Sequence, residues 1–304
     1  MPTTTPRREA LRADAVLIGV TAIWGSTFVA NRLVVTGETP PLLFLLVRFS
    51  LAGAVLFLLA RGRPGTPGLW ADSFAIGGLT AVGIGFQLAG QVYTTASKAA
   101  FITGLSVPLT APVAYLVTKK RPSAENLAGL AIATAGFGVM AWPREFSGVN
   151  TGDLLVLVTA FAYAYVVVRL SESSGRHDVR RFAAGQIACA AATTLALRLA
   201  VQPLLGRGEA VFRAEARPLL VDRTFLGLLL WMALAATVVT FLLMTWAQAR
   251  MSATHAAVIY ALEPVFAALL AALILGERLT GRELWGGALV LAGILVSELP
   301  LSRR

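Results

Sequence analysis

Residues 252–275 read SATHAAVIYALEPVFAALLAALIL, and this stretch decides the fold. About 20 mostly apolar residues are enough for a helix to cross the roughly 30 Å of a bilayer's hydrocarbon core. Apart from the phenol of Tyr260, only two side chains in the stretch titrate, His255 near its start and Glu263 about 11 residues in. At about 1.5 Å per residue, Glu263 falls about 16 Å deep, near the midplane of a spanning helix. Nine further stretches have the same character, at about 13–35, 41–60, 72–95, 98–118, 124–142, 152–170, 181–201, 224–247 and 282–299. Gly and Pro inside several of them are compatible with helices in lipid. Strand-like alternating segments of about ten residues are absent, which disfavours a barrel. The expected fold class is an all-α integral membrane protein with ten transmembrane helices.

Composition agrees. Of 304 residues 57% are hydrophobic and 14% charged, against about 25% charged in a soluble domain. The net charge of +10 would suggest nucleic acid in a soluble chain. Here no basic face with interleaved aromatics exists, and Lys and Arg sit between apolar runs, as anionic lipid and the positive-inside rule require. Nucleic acid is therefore not an expected partner; the lipid bilayer is. The single cysteine, Cys189, forms no intrachain disulfide, and two histidines, His177 and His255, build no His/Cys metal site. Arg7, Arg8 and Arg12 before an apolar run mimic a signal peptide, but the run is too long and lacks a cleavage site. Arg61, Arg63, Lys119, Lys120, Arg121, Arg176, Arg180, Arg181, Arg250, Arg303 and Arg304 fall on the N-terminal side of the membrane, which places both termini in the cytoplasm of a cell-membrane (plasma or inner membrane) protein. Lys98, Arg144, Arg278 and Arg282 fall opposite, and Arg207, Arg213, Arg217 and Arg223 run against the trend.

The chain repeats itself. Residues 120–129, KRPSAENLAG, and 277–286, ERLTGRELWG, share Arg, Ser/Thr, Leu and Gly at a shift of about 157 positions. Lys98-Ala99-Ala100 leads to Pro108 as His255-Ala256-Ala257 leads to Pro264; Asp14 precedes Trp24-Gly25-Ser26 as Asp153 precedes Tyr163-Ala164-Tyr165. A unit of five spans, an odd number, inverts its second copy, and inverted repeats around a midplane site are a recurring transporter design. The expected organisation is a cytoplasmic tail (1–12), a first five-helix repeat (13–142), a linker (143–151), a second repeat (152–299) and a C-terminal tail (300–304).

Trp24-Gly25-Ser26-Thr27-Phe28, Arg48-Phe49, residues 93–102 (YTTASKAAFI) through Pro108, Glu263-Pro264-Val265-Phe266-Ala267-Ala268, Gly276-Glu277-Arg278-Leu279 and Gly286-Gly287-Ala288 resemble the EamA type of the drug/metabolite transporter superfamily over almost the whole chain. The resemblance implies ten helices in two inverted repeats and transport, often export, of metabolites or amino acids. The first half departs from the pattern: Val107-Pro108 stands where the second has Glu263-Pro264, so any role of Glu263 is one-sided.

A charge near the bilayer centre costs about 2.5–3.5 kcal/mol on insertion scales. Glu263 therefore either binds a cationic group or a proton in a cavity, or locks two helices together as a protonated hydrogen-bonding group. Pro264 beside it removes a backbone donor and is expected to kink the helix. Arg48, about 10 Å deep, is either a carboxylate or phosphate clamp or a cap on carbonyls that fixes packing. His255 could be a proton-linked switch or an interfacial hydrogen-bonding group. Trp24, Ser26, Gln87, Gln91, Tyr163, Tyr165, Trp246, Gln248 and Tyr260 form the remaining candidate cavity wall of aromatics and amides. Gly83, Gly85, Gly90, Gly129, Gly136 and Gly138 are read as close-packing positions. Asp14, Asp72 and Asp153 are read as helix N-caps, and Glu277 with Arg278 as an interfacial pair.

Together these features predict a secondary carrier for a small-molecule substrate, driven by a proton gradient or a counter-substrate, with no cofactor and no ATP-binding loop. Nothing in the pattern sets an oligomeric state. The rivals are a membrane-embedded enzyme, for which no histidine falls near a Ser/Asp constellation in the sequence, and a non-transporting receptor or scaffold. Neither needs an inverted repeat.

Overall fold

A computed structural model describes residues 7–36, 41–91, 93–94, 96–141, 148–204, 223–275 and 279–297. It is helical, with no strand among the described residues. The helices are α1 (Arg7–Thr36), α2 (Pro41–Leu59), α3 (Leu69–Ser73 continuing through Phe74–Gly78 and Leu79–Gln91), α4 (Ala96–Gly104), α5 (Ser106–Thr118) and α6 (Ala124–Ala141). There follow α7 (Thr151–Ser173), α8 (Val179–Leu204), α9 (Arg223–Leu230 through Trp231–Val239 and Thr240–Gln248), α10 (Ala253–Tyr260), α11 (Glu263–Leu275) and α12 (Gly281–Ser297). Among the described residues seven helical stretches are long and apolar enough to cross a membrane: Leu42–Leu59, Leu69–Gln87, Phe101–Thr118, Thr151–Arg176, Val179–Ala200, Phe225–Gln248 and Ala253–Leu270, with Ala124–Met140 a shorter apolar helix. Leu58, Phe74, Leu199, Leu273, Trp285 and Leu295 are all exposed, as expected of helices whose outer solvent is acyl chain rather than water.

The interruptions come in pairs. A π-helical segment begins at Phe74 in α3 and another at Trp231 in α9, 157 residues later. The break between α4 and α5 falls at Leu105; that between α10 and α11 includes Leu262, again 157 residues on. Each break follows from a proline just downstream. Pro108 and Pro264 lack the N–H that would bond to residues 104 and 260, so the helical ladder parts there. The expected kink at Pro264 is thus a break one turn earlier, at 261–262.

Packing is exchanged between halves in the same way. α3 lies on α7 and α9 on α1; α5 packs on α7 and α11 on α1; α2 packs on α8 and α6 on α12. The α6–α12 contact is antiparallel and made by glycines. A Cβ on Gly129 would stand 2.5 Å from the Gly293 carbonyl, and one on Gly136 would stand 2.6 Å from that of Gly286. Both pairs leave the backbones in direct contact, as small residues allow between helices in lipid.

Several expectations change. α1 starts at Arg7, not near residue 13, and Asp14 lies inside it, paired with His255 rather than capping. Gly68 occupies the N-cap of α3, and Asp72 gathers Arg169, Arg176 and His177 instead. At α7 the cap is Asn150, with Asp153 closing a capping box from the third position. Asp14 and Asp72 thus bond to side chains brought up by the fold, whereas Asp153 does take part in capping by accepting from the Asn150 backbone N–H. Glu277 and Arg278, and the outlying arginines Arg144, Arg207, Arg213 and Arg217, lie outside the described residues.

Candidate functional site

The polar side chains converge where α1, α2, α7, α9 and the α10–α11 break meet. Trp24 stacks on Tyr260, with ring centroids 5.5 Å apart and planes at 24°. The Tyr260 hydroxyl accepts a 2.6 Å hydrogen bond from Gln248 Nε2, and Gln248 Oε1 accepts one of 2.9 Å from Ser171. This chain links α1, α10, α9 and α7. Gln248 is 1% exposed, so its amide had to be saturated by neighbours, and both ends are.

Arg48, also buried, finds its partners on the π segment of α9. Its Nε donates to Thr237 Oγ1 at 2.9 Å and its Nη2 to the Ala236 carbonyl at 3.2 Å, while Trp24 Nε1 reaches the same carbonyl at 3.4 Å. The wider π turn frees carbonyls from the regular ladder, and such bulges are frequent at functional sites. Thr237 shows the wider register directly by donating to Met232, five residues back. Two of the three guanidinium nitrogens of Arg48 are thereby committed to protein. That geometry fits the packing role more closely than a substrate clamp. Arg48→Lys, which keeps the charge but loses the planar fork, is expected to cost about 1–3 kcal/mol. It should lower the melting temperature in detergent and leave the substrate KM unchanged; a raised KM at an unchanged melting temperature would make Arg48 the clamp.

Glu263 opens α11. It is half-buried, and no described residue donates a hydrogen bond to its carboxylate. The first-turn position favours a negative charge, because the helix dipole presents its positive end there. Gly25 is what brings α1 up to this point: a Cβ there would stand 3.2 Å from the Glu263 carbonyl, 3.0 Å from Ala267 N and 2.8 Å from Phe266 Cβ.

The remaining candidates divide. Ser26 bridges α1 to α9 through Trp231 Nε1 at 3.3 Å, and Gln87 donates to Thr103 at 3.2 Å between α3 and α4. Tyr165 is about 200° around α7 from Tyr163, and Trp246 about 200° around α9 from Gln248. Neither makes a hydrogen bond or ring stack with the group around Tyr260 among the described residues; Trp246 instead carries the Arg250 guanidinium 4.1 Å over its ring. Gln91 and Lys98 lie on helices, with side chains outside the described set.

Sequence reasoning put no histidine near Ser and Asp; the fold does. His255 Nε2 lies 3.0 Å from Asp14 Oδ1 and its Nδ1 lies 3.0 Å from Ser297 Oγ. They line a cavity of about 240 Å³ with Ala10, Asn126, Arg250, Met251 and Ser252. The arrangement also holds Ser297 Oγ 2.8 Å from the Ile294 carbonyl, to which it donates. It ties α1, α10 and α12 at one end of the bundle, while Arg250 ties α9 to Glu9 of α1 at 2.7 Å. Separations of 42 and 241 residues left no sequence signal for these contacts.

Comparison with known proteins follows the repeat. Residues 11–142 and 150–299 each match the EamA-like transporter family. An uncharacterized transporter of Archaeoglobus fulgidus is 30% identical over 96% of this chain and 87% of its own length. A probable amino-acid metabolite efflux pump of Salmonella typhimurium is 26% identical over 91% of this chain and 92% of its own. The Escherichia coli K12 uncharacterized inner membrane transporter YedA is 32% identical over 52% of this chain and 53% of its own. In fold, a solved crystal structure superposes with a TM-score of 0.76 at 20% identity, covering 96% of this chain and 99% of that one.

Proposed function

The chain belongs to the EamA-like transporter family, and from that premise we propose that it is a secondary carrier exporting small amine-bearing metabolites, amino acids foremost. It is a multi-pass membrane protein of a transporter family, which speaks against an enzyme. In the proposed mechanism two inverted five-helix repeats, residues 13–142 and 152–299 with ten spans in all, rock about a central site and open it alternately to each face. The paired π segments and paired breaks supply matching weak points in both halves.

One observation carries the reading. Glu263 holds a carboxyl group at a helix break, one turn from Tyr260 of the Trp24–Tyr260 stack and against Gly25 of α1, with no described residue donating a hydrogen bond to it. A cationic group of the substrate, or a proton in exchange for it, is the complement such a site lacks, and aromatic faces add cation–π attraction. The name of the Salmonella relative supports amino-acid efflux.

The Asp14–His255–Ser297 contacts are the second element. They hold one end shut and must part when that end opens, which makes His255 a proton-linked partner of Glu263 in the cycle. Counterflow of labelled amino acids into proteoliposomes tests the whole reading: accumulation against unlabelled internal substrate is expected, and no exchange with a broad amine panel would sink it. With both termini cytoplasmic, Arg63→Cys and Lys120→Cys, both on exposed positions, should react with an impermeant maleimide only from the cytoplasmic side. Labelling from outside would reverse the orientation.

A further inference from the structure

The loop between α2 and α3 and the turn between α7 and α8 meet at one corner. Thr66 bonds to His177, Asp72 takes Arg169 at 2.6 Å, His177 at 2.9 Å and Arg176 at 3.3 Å, and Arg63 stands 4.0 Å from Asp178. The two loops thus form one rigid platform. Six arginines (Arg61, Arg63, Arg169, Arg176, Arg180 and Arg181) meet only three acids there (Asp72, Glu172 and Asp178). Asp72 is spent on Arg169 and Arg176, and Asp178 on capping α8 through the backbone of Arg180 and Arg181. Arg61 and Arg180 stay exposed with no ion pair among the described residues, and Arg63, also exposed, shares the second oxygen of Asp178 at 4.0 Å.

Beside these cations the surface turns apolar at once. Leu58 is 60% exposed, Trp70 52% and Phe74 63%, and Arg181 lies 5.9 Å over the ring of Phe57. Phe57 precedes Arg61 by about one helical turn, or about 6 Å. That places the arginines at headgroup level when the aromatic ring reaches the interface. A guanidinium fork matches a phosphodiester, and an acyl chain matches the Trp70–Phe74 face.

We propose that this corner is a binding site for an anionic phospholipid, with Arg61, Arg63 and Arg180 on the headgroup phosphate and Trp70 and Phe74 along its acyl chain. Anionic lipid near a basic cluster is favoured by up to about fivefold per arginine, and with Arg63 held beside Asp178 the exposed pair Arg61 and Arg180 carries most of the effect. Trp70 is itself the reporter. The full chain is reconstituted in phosphatidylcholine containing brominated phosphatidylglycerol or brominated phosphatidylcholine. Quenching at Trp70 is taken as the difference between the wild type and Trp70→Phe. Phosphatidylglycerol is expected to be enriched on the order of tenfold at Trp70, and Arg61→Gln/Arg180→Gln should bring the two lipids close to parity. Unchanged quenching by brominated phosphatidylcholine in that variant shows it inserted and folded. Soluble glycerol phosphate should leave the enrichment intact, since it lacks the chain. Equal quenching by both lipids in the wild type, enrichment that survives the double substitution, or displacement by glycerol phosphate would each overturn the proposal.

Discussion

Glu263→Gln is expected to yield a folded, membrane-inserted protein whose transport of amines falls about a hundredfold. The amide keeps the shape of the side chain and can still hydrogen-bond across helices, so a merely structural lock would survive it. What it removes is the charge. A unit charge pair about 4 Å apart is worth about 4 kcal/mol at an effective dielectric of about 20. Part of that is returned as desolvation of the carboxylate; a net loss of about 2.7 kcal/mol in transition-state stabilisation is the hundredfold stated. Glu263→Asp keeps the charge on a shorter stem and should retain a measurable fraction of flux. The measurement is initial counterflow of a labelled amino acid at saturating and subsaturating concentration, alongside the melting temperature. Full flux in Glu263→Gln would return the residue to the role of packing element and remove the cation from the proposed site.

Much of this arrangement is legible in residue order, and the reasons for what is not are specific. The 157-residue shift seen in 120–129 against 277–286 reappears in the π segments at Phe74 and Trp231 and in the breaks at Leu105 and Leu262. Proline placement makes the breaks legible, because a missing N–H has a fixed address. The partner of Arg48 is not legible. A π segment has no residue signature comparable to proline, and the accepting group is a backbone carbonyl at Ala236, 188 residues away. Nor is the split of the candidate wall, since a run of aromatics and amides does not say which side of a helix each takes. Tyr163 and Tyr165 look equivalent in the sequence, yet two residues on a helix are nearly opposite. The acids at Asp14 and Asp72 illustrate the same limit. Position near a helix start suggests capping, but His255 and Arg169, brought up by the fold, offer side-chain partners that the sequence does not place nearby.

Gly136→Leu is expected to be strongly destructive for folding, and Gly138→Leu, two residues along the same helix, nearly silent. A Cβ at Gly136 would stand 2.6 Å from the Gly286 carbonyl, 2.7 Å from Val290 N and 2.8 Å from Leu289 Cβ, whereas nothing lies within 4 Å of one at Gly138. Two of the three obstacles are backbone, so no rotamer change relieves them and the two helices must separate. Separation also opens the seam at its second glycine pair, where Gly129 meets the Gly293 carbonyl. Overpacking of a close seam costs about 1–3 kcal/mol and occasionally more; because both glycine pairs part together, the upper end applies. At a few degrees per kcal/mol, the melting temperature of the detergent-purified protein should fall by at least about 5 °C, with a shift toward aggregate on size exclusion. Leucine is the better helix former at both sites, so propensity alone predicts stabilisation in each. Equal melting temperatures for the two variants would mean that α6 and α12 are not in backbone contact, and the pairing of the two halves along that seam would have to be abandoned.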